Sequence, residues 1–159
     1  MSRRTRRRIV AVVLAAATGL SAPVWAPPLL AQMDLFRVET VGVTGVRYCP
    51  PQEIVDRADV ARTASVWDDP ARWEGRVREH PLVRDARVVR TGLHRLEIQV
   101  SEVEPVALIA TPELEPVDRG GRVLPLDPAE SRLDLPILSG PVDLRDGRIA
   151  DETSRRLLD

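Results

Sequence analysis

The chain has 159 residues, 43% apolar and 30% charged, a balance that suits one ordinary domain or two small ones and excludes a disordered segment. All 23 basic residues are arginine and five of them precede residue 9, whereas all 24 carboxylates lie from Asp34 onward. Eighteen arginines against 24 carboxylates leave that larger part at about −6, the wrong sign for nucleic acid, and the single cysteine, Cys49, excludes an internal disulfide.

Residues 1–8 form a basic tail, and residues 9–33 follow without a charge. That length matches the roughly 20 residues a helix needs to cross a bilayer. The arginine cluster before it predicts a cytoplasmic amino terminus, with everything after Asp34 on the far side. The competing reading is a cleaved signal peptide, cut after Ala26, because the strongly apolar run from Ile9 to Leu20 is only signal-length. Pro27 would directly follow that cut and disfavours it. The arginine run resembles a twin-arginine export signal only in outline.

Phe36 to Gly45 reads as a strand rich in β-branched residues that ends in a turn. A helix is expected within Tyr48 to Arg62, with Cys49 in the capping position, Pro50 first and Gln52 completing a weakened capping box. Ile54, Val55 and Ala58 supply its apolar stripe. A second helix is expected after Asp69 as cap and Pro70, carrying Trp73 and Val77 one turn apart and closing at His80 and Pro81.

The clearest periodic signal is a hairpin from His80 to Ala107. One strand runs from Val83 to Arg90, a turn lies at Thr91 and Gly92, and a second strand runs from Arg95 to Val103. Leu96, Ile98 and Val100 alternate there with Glu97, Gln99 and Ser101, so one face is apolar. Two helices covering one face of a three-stranded sheet is the simplest packing for this order. Beyond it come short strands at Pro105 to Ala110, Glu115 to Asp118 and Val123 to Leu126, a turn at Arg119 to Gly121, and a Pro-rich remainder suited to edges and loops.

Taken in order, FRVETVGVTG, a short helix containing QEI, HPLVRDARVVR, LHRLEIQVSEVEPVA, VDRGGRVLPL and LPILSG resemble the FtsQ/DivIB cell-division proteins. Leu93, where that family usually has proline, and Val103, where it usually has arginine, depart from the pattern. The resemblance implies an α+β chain: an N-terminal transmembrane helix, a β-α-α-β-β POTRA (polypeptide transport-associated) domain over residues 36–104, and the beginning of a mostly antiparallel β domain over residues 105–159. It also implies a longer family pattern than this sequence holds, so Thr153 to Leu158 reads as the opening of a helix cut short. The function implied is a bitopic inner-membrane scaffold of the division septum whose partners are FtsB/FtsL-like and FtsK-like divisome proteins. The alternative is a POTRA module of an export or outer-membrane assembly system that chaperones substrate strands.

No chemistry stands out. His80 and His94 have no cysteine or carboxylate at metal-ligand spacing, and Cys49 has no base or cation evident nearby. Asp68 with Asp69 reads as a helix cap, and Glu102 with Glu104 as one solvated sheet face. VDRGGRV lacks the strand, glycine loop and helix that cradle phosphate. No cofactor, metal or small-molecule substrate is expected. What remains is surface for proteins: the strand from Val83 to Arg90 should form a sheet edge, open to strand addition. Its candidate partner-binding residues are Arg84, Asp85, Arg87, Val88, Val89 and Arg90. Charges on an edge also serve simply to block unwanted pairing.

Overall fold

A computed structural model describes residues 26–111, 113–138 and 142–151 and the single positions 7, 12, 13, 16, 19 and 158. A 3-10 turn at Asp34–Phe36 leads into β1 (Thr40–Thr44), α1 (Pro51–Ala58), α2 (Ala71–Arg78), β2 (Val83–Arg90) and β3 (Arg95–Glu102). These strands form one sheet in the order β1-β3-β2. The strand, helix, helix, strand, strand sequence expected from periodicity is therefore present. Leu96, Ile98 and Val100 of β3 are buried, as are Ile54 and Ala58 of α1 and Trp73 and Val77 of α2.

Contacts divide the chain into two units, Met1–Val41 with Ala61–Asp69 and Arg90–Leu96, and Gly42–Val60 with Pro70–Val89 and Glu97–Asp159. In the first, Val38 donates its N–H to Ala64 O and Val66 donates to Phe36 O, each at 2.9 Å. The Phe36 and Trp67 rings meet edge to face at 6.0 Å, and the Arg90 guanidinium lies over Trp67 at 4.2 Å. At the hairpin tip Thr91 N–H bonds Arg95 O at 3.1 Å, and His94 O accepts the N–H of Glu39 at 2.8 Å and of Thr40 at 3.2 Å.

In the second unit the passage from β1 to α1 is pinned by one carboxylate. Glu102 Oε2 accepts the N–H groups of Arg47 and Tyr48 at 2.8 and 2.9 Å, and Oε1 accepts that of Cys49 at 2.8 Å. Glu102 is thus no part of a solvated face; it satisfies three consecutive donors that no secondary structure could pair. Just before them Gly45 has φ of +81°, and a Cβ there would lie 2.1 Å from Val100 O. Only glycine meets both conditions.

Neither helix starts as its sequence suggests. The N-cap residues are Pro50 and Pro70, without side-chain caps, rather than Cys49 and Asp69. The Cys49 N–H is taken by Glu102, and Gln52 turns along its own helix to bond Asp56 at 2.8 Å. Helix α1 ends at Ala58, earlier than Arg62, because Asp59 adopts a left-handed conformation. Arg76 Nη1 then caps that end, donating to Ala58 O, Asp59 O and Asp59 Oδ2, a favourable place for a cation.

The later strands are β4 (Pro105–Ala110), β5 (Leu114–Asp118), β6 (Ile137–Leu138), β7 (Leu144–Arg145) and β8 (Arg148–Ile149). β4 pairs antiparallel with β5 and parallel with β6, and β7 pairs antiparallel with β8. Ala107, Ile109, Val117, Ile149 and Leu158 form the core there. The strand expected at Val123 to Leu126 is instead a single bridge from Val123 to Val117. Leu124 N–H still reaches Pro116 O at 2.8 Å, but Pro125 has no N–H to extend a ladder.

The predicted basic tail 1–8 and anchor 9–33 lie largely outside the described residues, of which 7, 12, 13, 16, 19 and 26–31 are helical. Among the described residues no helix is long and apolar enough to cross a membrane. The helix expected at Thr153 to Leu158 also falls outside them, apart from Leu158.

The carboxylate of Glu102 gives a direct test of this frame. Glu102→Ala strands three backbone donors and should cost about 2–3 kcal/mol, or roughly 5–15 °C of thermal midpoint. Glu104→Ala, at an exposed position, should stay within about 0.5 kcal/mol of the parent; thermal denaturation followed by circular dichroism reads both.

Candidate partner-binding surface

The order β1-β3-β2 places β2 at an edge of its sheet, because its hairpin partner holds the middle. Arg84, Asp85, Arg87 and Arg90 are exposed, Val89 is half-buried and Val88 is buried. The four charged candidates therefore reach solvent, while Val88 can offer a partner only its backbone. Arg84 Nη2 bonds Ser101 Oγ of the neighbouring strand at 2.7 Å.

The middle of the edge is already occupied. Glu74 Oε1 accepts the Val88 N–H at 2.9 Å, and Arg78 Nη2 donates to Ala86 O at 2.7 Å. These two side chains stand one turn apart on α2 and bond each other at 3.1 Å. Together they supply the acceptor and donor that a neighbouring strand would supply. Arg78 also bonds Asp85 through Nε at 2.9 Å. That hydrogen bond holds the Asp85 carboxyl below its ordinary range, and the same bond, followed by the one to Glu74, raises Arg78. An incoming strand would have to displace this clamp. Its only sequence signal is the opposite-charge pair at i and i+4, which occurs on many surface helices.

A second cluster gathers residues that spacing kept apart. Cys49 Sγ lies 3.6 Å from His80 Nδ1, and His80 Nε2 lies 2.9 Å from Glu53 Oε1. The line thiol, imidazole, carboxylate has the outline of a nucleophilic triad, and it puts beside Cys49 the base that its local sequence lacked. Its chemistry is the opposite. Leu82 donates its N–H to His80 Nδ1 at 3.2 Å, so Nε2 carries the proton toward Glu53 and Nδ1 is already engaged. Burial, then the charge of Glu102, pushes the Cys49 thiol up to about 12 from 9.0. A thiol in that state is neither a nucleophile nor a metal ligand at neutral pH.

The remaining candidates have structural partners. His94 Nδ1 donates to Arg37 O at 3.2 Å, and Asp68 Oδ2 accepts the Ser65 N–H at 3.0 Å. Among the described residues no group of three or more His, Cys, Asp and Glu side chains could hold a metal ion.

Residues 36–102 match the family model described as POTRA domain, FtsQ-type, an interval that runs from the 3-10 turn to the end of β3. The chain is 30% identical over 153 residues to a cell division protein FtsQ of Myxococcus fulvus, covering 91% of this chain and 52% of that relative. It is 32% identical over 108 residues to FtsQ of an Anaeromyxobacter species, covering 67% and 37%. With FtsQ of Syntrophotalea carbinolica it shares 29% over 117 residues, covering 73% and 42%. The chain thus spans about half or less of the length of these relatives. Topology, domain match and relatives agree: the chain belongs to the FtsQ/DivIB type of cell-division proteins and carries an FtsQ-type POTRA domain.

Proposed function

We propose that this chain is a single-pass inner-membrane scaffold that gathers divisome proteins at the septum and catalyses nothing itself. Residues 9–33 would anchor it, with the amino terminus cytoplasmic and the folded part extracytoplasmic. The observation that carries this reading is an FtsQ-type POTRA fold whose β2 edge is both charged and clamped. Partners of the FtsB/FtsL-like or FtsK-like kind would meet Arg84, Asp85, Arg87 and Arg90 and the backbone of Val88 and Val89. The export or assembly alternative draws no support from the relatives, which are cell-division proteins.

On this reading the clamp sets a threshold. An added strand must take Ala86 O and Val88 N–H from Arg78 and Glu74, so pairing succeeds only where further contacts compensate for those lost charge-assisted bonds. The clamp thereby discourages indiscriminate edge pairing. The raised Cys49 thiol, the one thiol of the chain, offers no nucleophile at neutral pH.

A fluorescent fusion should concentrate at midcell in dividing cells; an even distribution around the envelope removes the septal role. Arg87→Glu should weaken recruitment of division partners while leaving membrane insertion intact. Glu74→Ala with Arg78→Ala should strengthen it by up to about tenfold, since the lost bonds are each worth about 1.5–3 kcal/mol and packing losses offset part of that. Site-specific crosslinking from β2 measures both, and unchanged yields in both variants mean the edge is only protected.

Cys49 gives a pH-dependent readout. Its folded value lies above its unfolded one of 9.0, so its contribution to stability is complete below that pH and is lost as pH rises toward about 12. The parent should lose stability more steeply than Cys49→Ala across that interval. Iodoacetamide should label the native chain at pH 8 far more slowly than the chain in denaturant.

A further inference from the structure

We propose that the hairpin tip between β2 and β3, together with the 3-10 turn at Asp34–Phe36, rests in the membrane interface, with Leu93 and Leu35 seated among the lipid headgroups. This rests on the anchored reading of residues 9–33 and adds a contact that anchoring alone does not require.

Leu93 and Leu35 are exposed to 63% and 59%, so each presents apolar surface that gains by leaving water. They lie far apart in sequence, but hydrogen bonds hold their surroundings together. His94, beside Leu93, accepts from Glu39 and Thr40 through its carbonyl oxygen and donates from Nδ1 to Arg37 O at 3.2 Å. The hairpin tip is thus fastened to the segment that follows the uncharged run. That segment is itself braced, through Phe36 against Trp67 and Arg90 over the same ring.

Distance then limits where the tip can be. From Met33 to Arg37 an extended chain reaches at most about 14 Å, and the 3-10 turn at Asp34–Phe36 shortens this to nearer 8–10 Å, at about 2 Å per turn residue. The headgroup layer is itself about 5–8 Å thick on each side. Leu35 emerges inside or just above that layer, and the tip is tied to the chain only a few residues further on, at Arg37, Glu39 and Thr40. An apolar side chain there gains by entering the interface, as amphipathic segments do. Beyond residue 33 this unit carries four arginines, Arg37, Arg62, Arg90 and Arg95, against four carboxylates, Asp34, Glu39, Asp68 and Asp69, so the contact is apolar and should not depend on anionic lipid.

Depth-dependent quenching tests this on the full chain in phosphatidylcholine vesicles. Leu93→Cys, labelled with the fluorophore NBD, is the reporter; buried Cys49, with its raised pKa, does not compete for the label. Leu35→Cys is a second reporter, and Glu130→Cys, at an exposed position, is the control. Nitroxide lipids at headgroup depth, about 15–20 Å from the midplane, should reduce the Leu93 and Leu35 signals about two-fold or more, equally with and without phosphatidylglycerol. They should leave the Glu130 signal unchanged. If carbonate washing retains the chain in vesicles but neither leucine site is quenched more than Glu130, the interfacial contact is overturned and the anchor stands. Release of the chain by carbonate overturns both.

Discussion

The fold of residues 36–102 depends on how the chain leaves β1. Turning from a strand into α1 exposes three consecutive backbone donors, at Arg47, Tyr48 and Cys49, and the carboxylate at the end of β3 satisfies all three. Gly45 makes that approach possible, since any side chain there would run into the carbonyl of Val100. A turn and a strand end more than fifty residues apart in sequence thus become one rigid corner. α1 starts from this corner with Pro50 as its N-cap and Pro51 first, neither of which has an N–H that needs a partner.

The same economy of side chains appears at the sheet edge. An edge strand exposes hydrogen-bonding groups that other chains can use, and α2 covers the middle of β2 with Glu74 and Arg78 rather than with backbone. Side chains can swing away, whereas a paired strand cannot do so without unfolding. Such an edge is protected yet recoverable. The charges at Arg84, Asp85 and Arg87 beside it stay exposed.

The line of Cys49, His80 and Glu53 shows why geometry alone does not define a site. The distances suit proton relay, but the thiol is buried beside a carboxylate and the imidazole already accepts from Leu82. Each environment opposes the charge separation that nucleophilic catalysis needs. The cluster holds the end of α2 beside the start of α1, a packing role that accounts for a buried histidine with both ring nitrogens engaged.

Much of this architecture is legible in the residues. Alternation in β3, the helical stripes of α1 and α2, and the turn at Thr91 are local patterns, and a local period dictates which face is apolar whatever lies opposite. The edge position of β2 follows as well, because a hairpin partner in the middle leaves it outermost. Helix starts were misread at Cys49 and Gln52, which satisfy a cap's sequence rule while the Cys49 N–H goes to Glu102 and Gln52 turns to Asp56, and at Asp69, which stands one place before the N-cap Pro70. Glu102 looked solvated for the same reason: nothing near it in sequence reveals three N–H groups waiting from the other end of the sheet. The parallel pairing of β4 with β6 and the clamp on β2 likewise join segments far apart in the chain. The sequence by itself determined the order of elements, their apolar faces and the family. Only the tertiary structure decided which polar groups meet, because a hydrogen bond between distant segments leaves no period for a sequence to display.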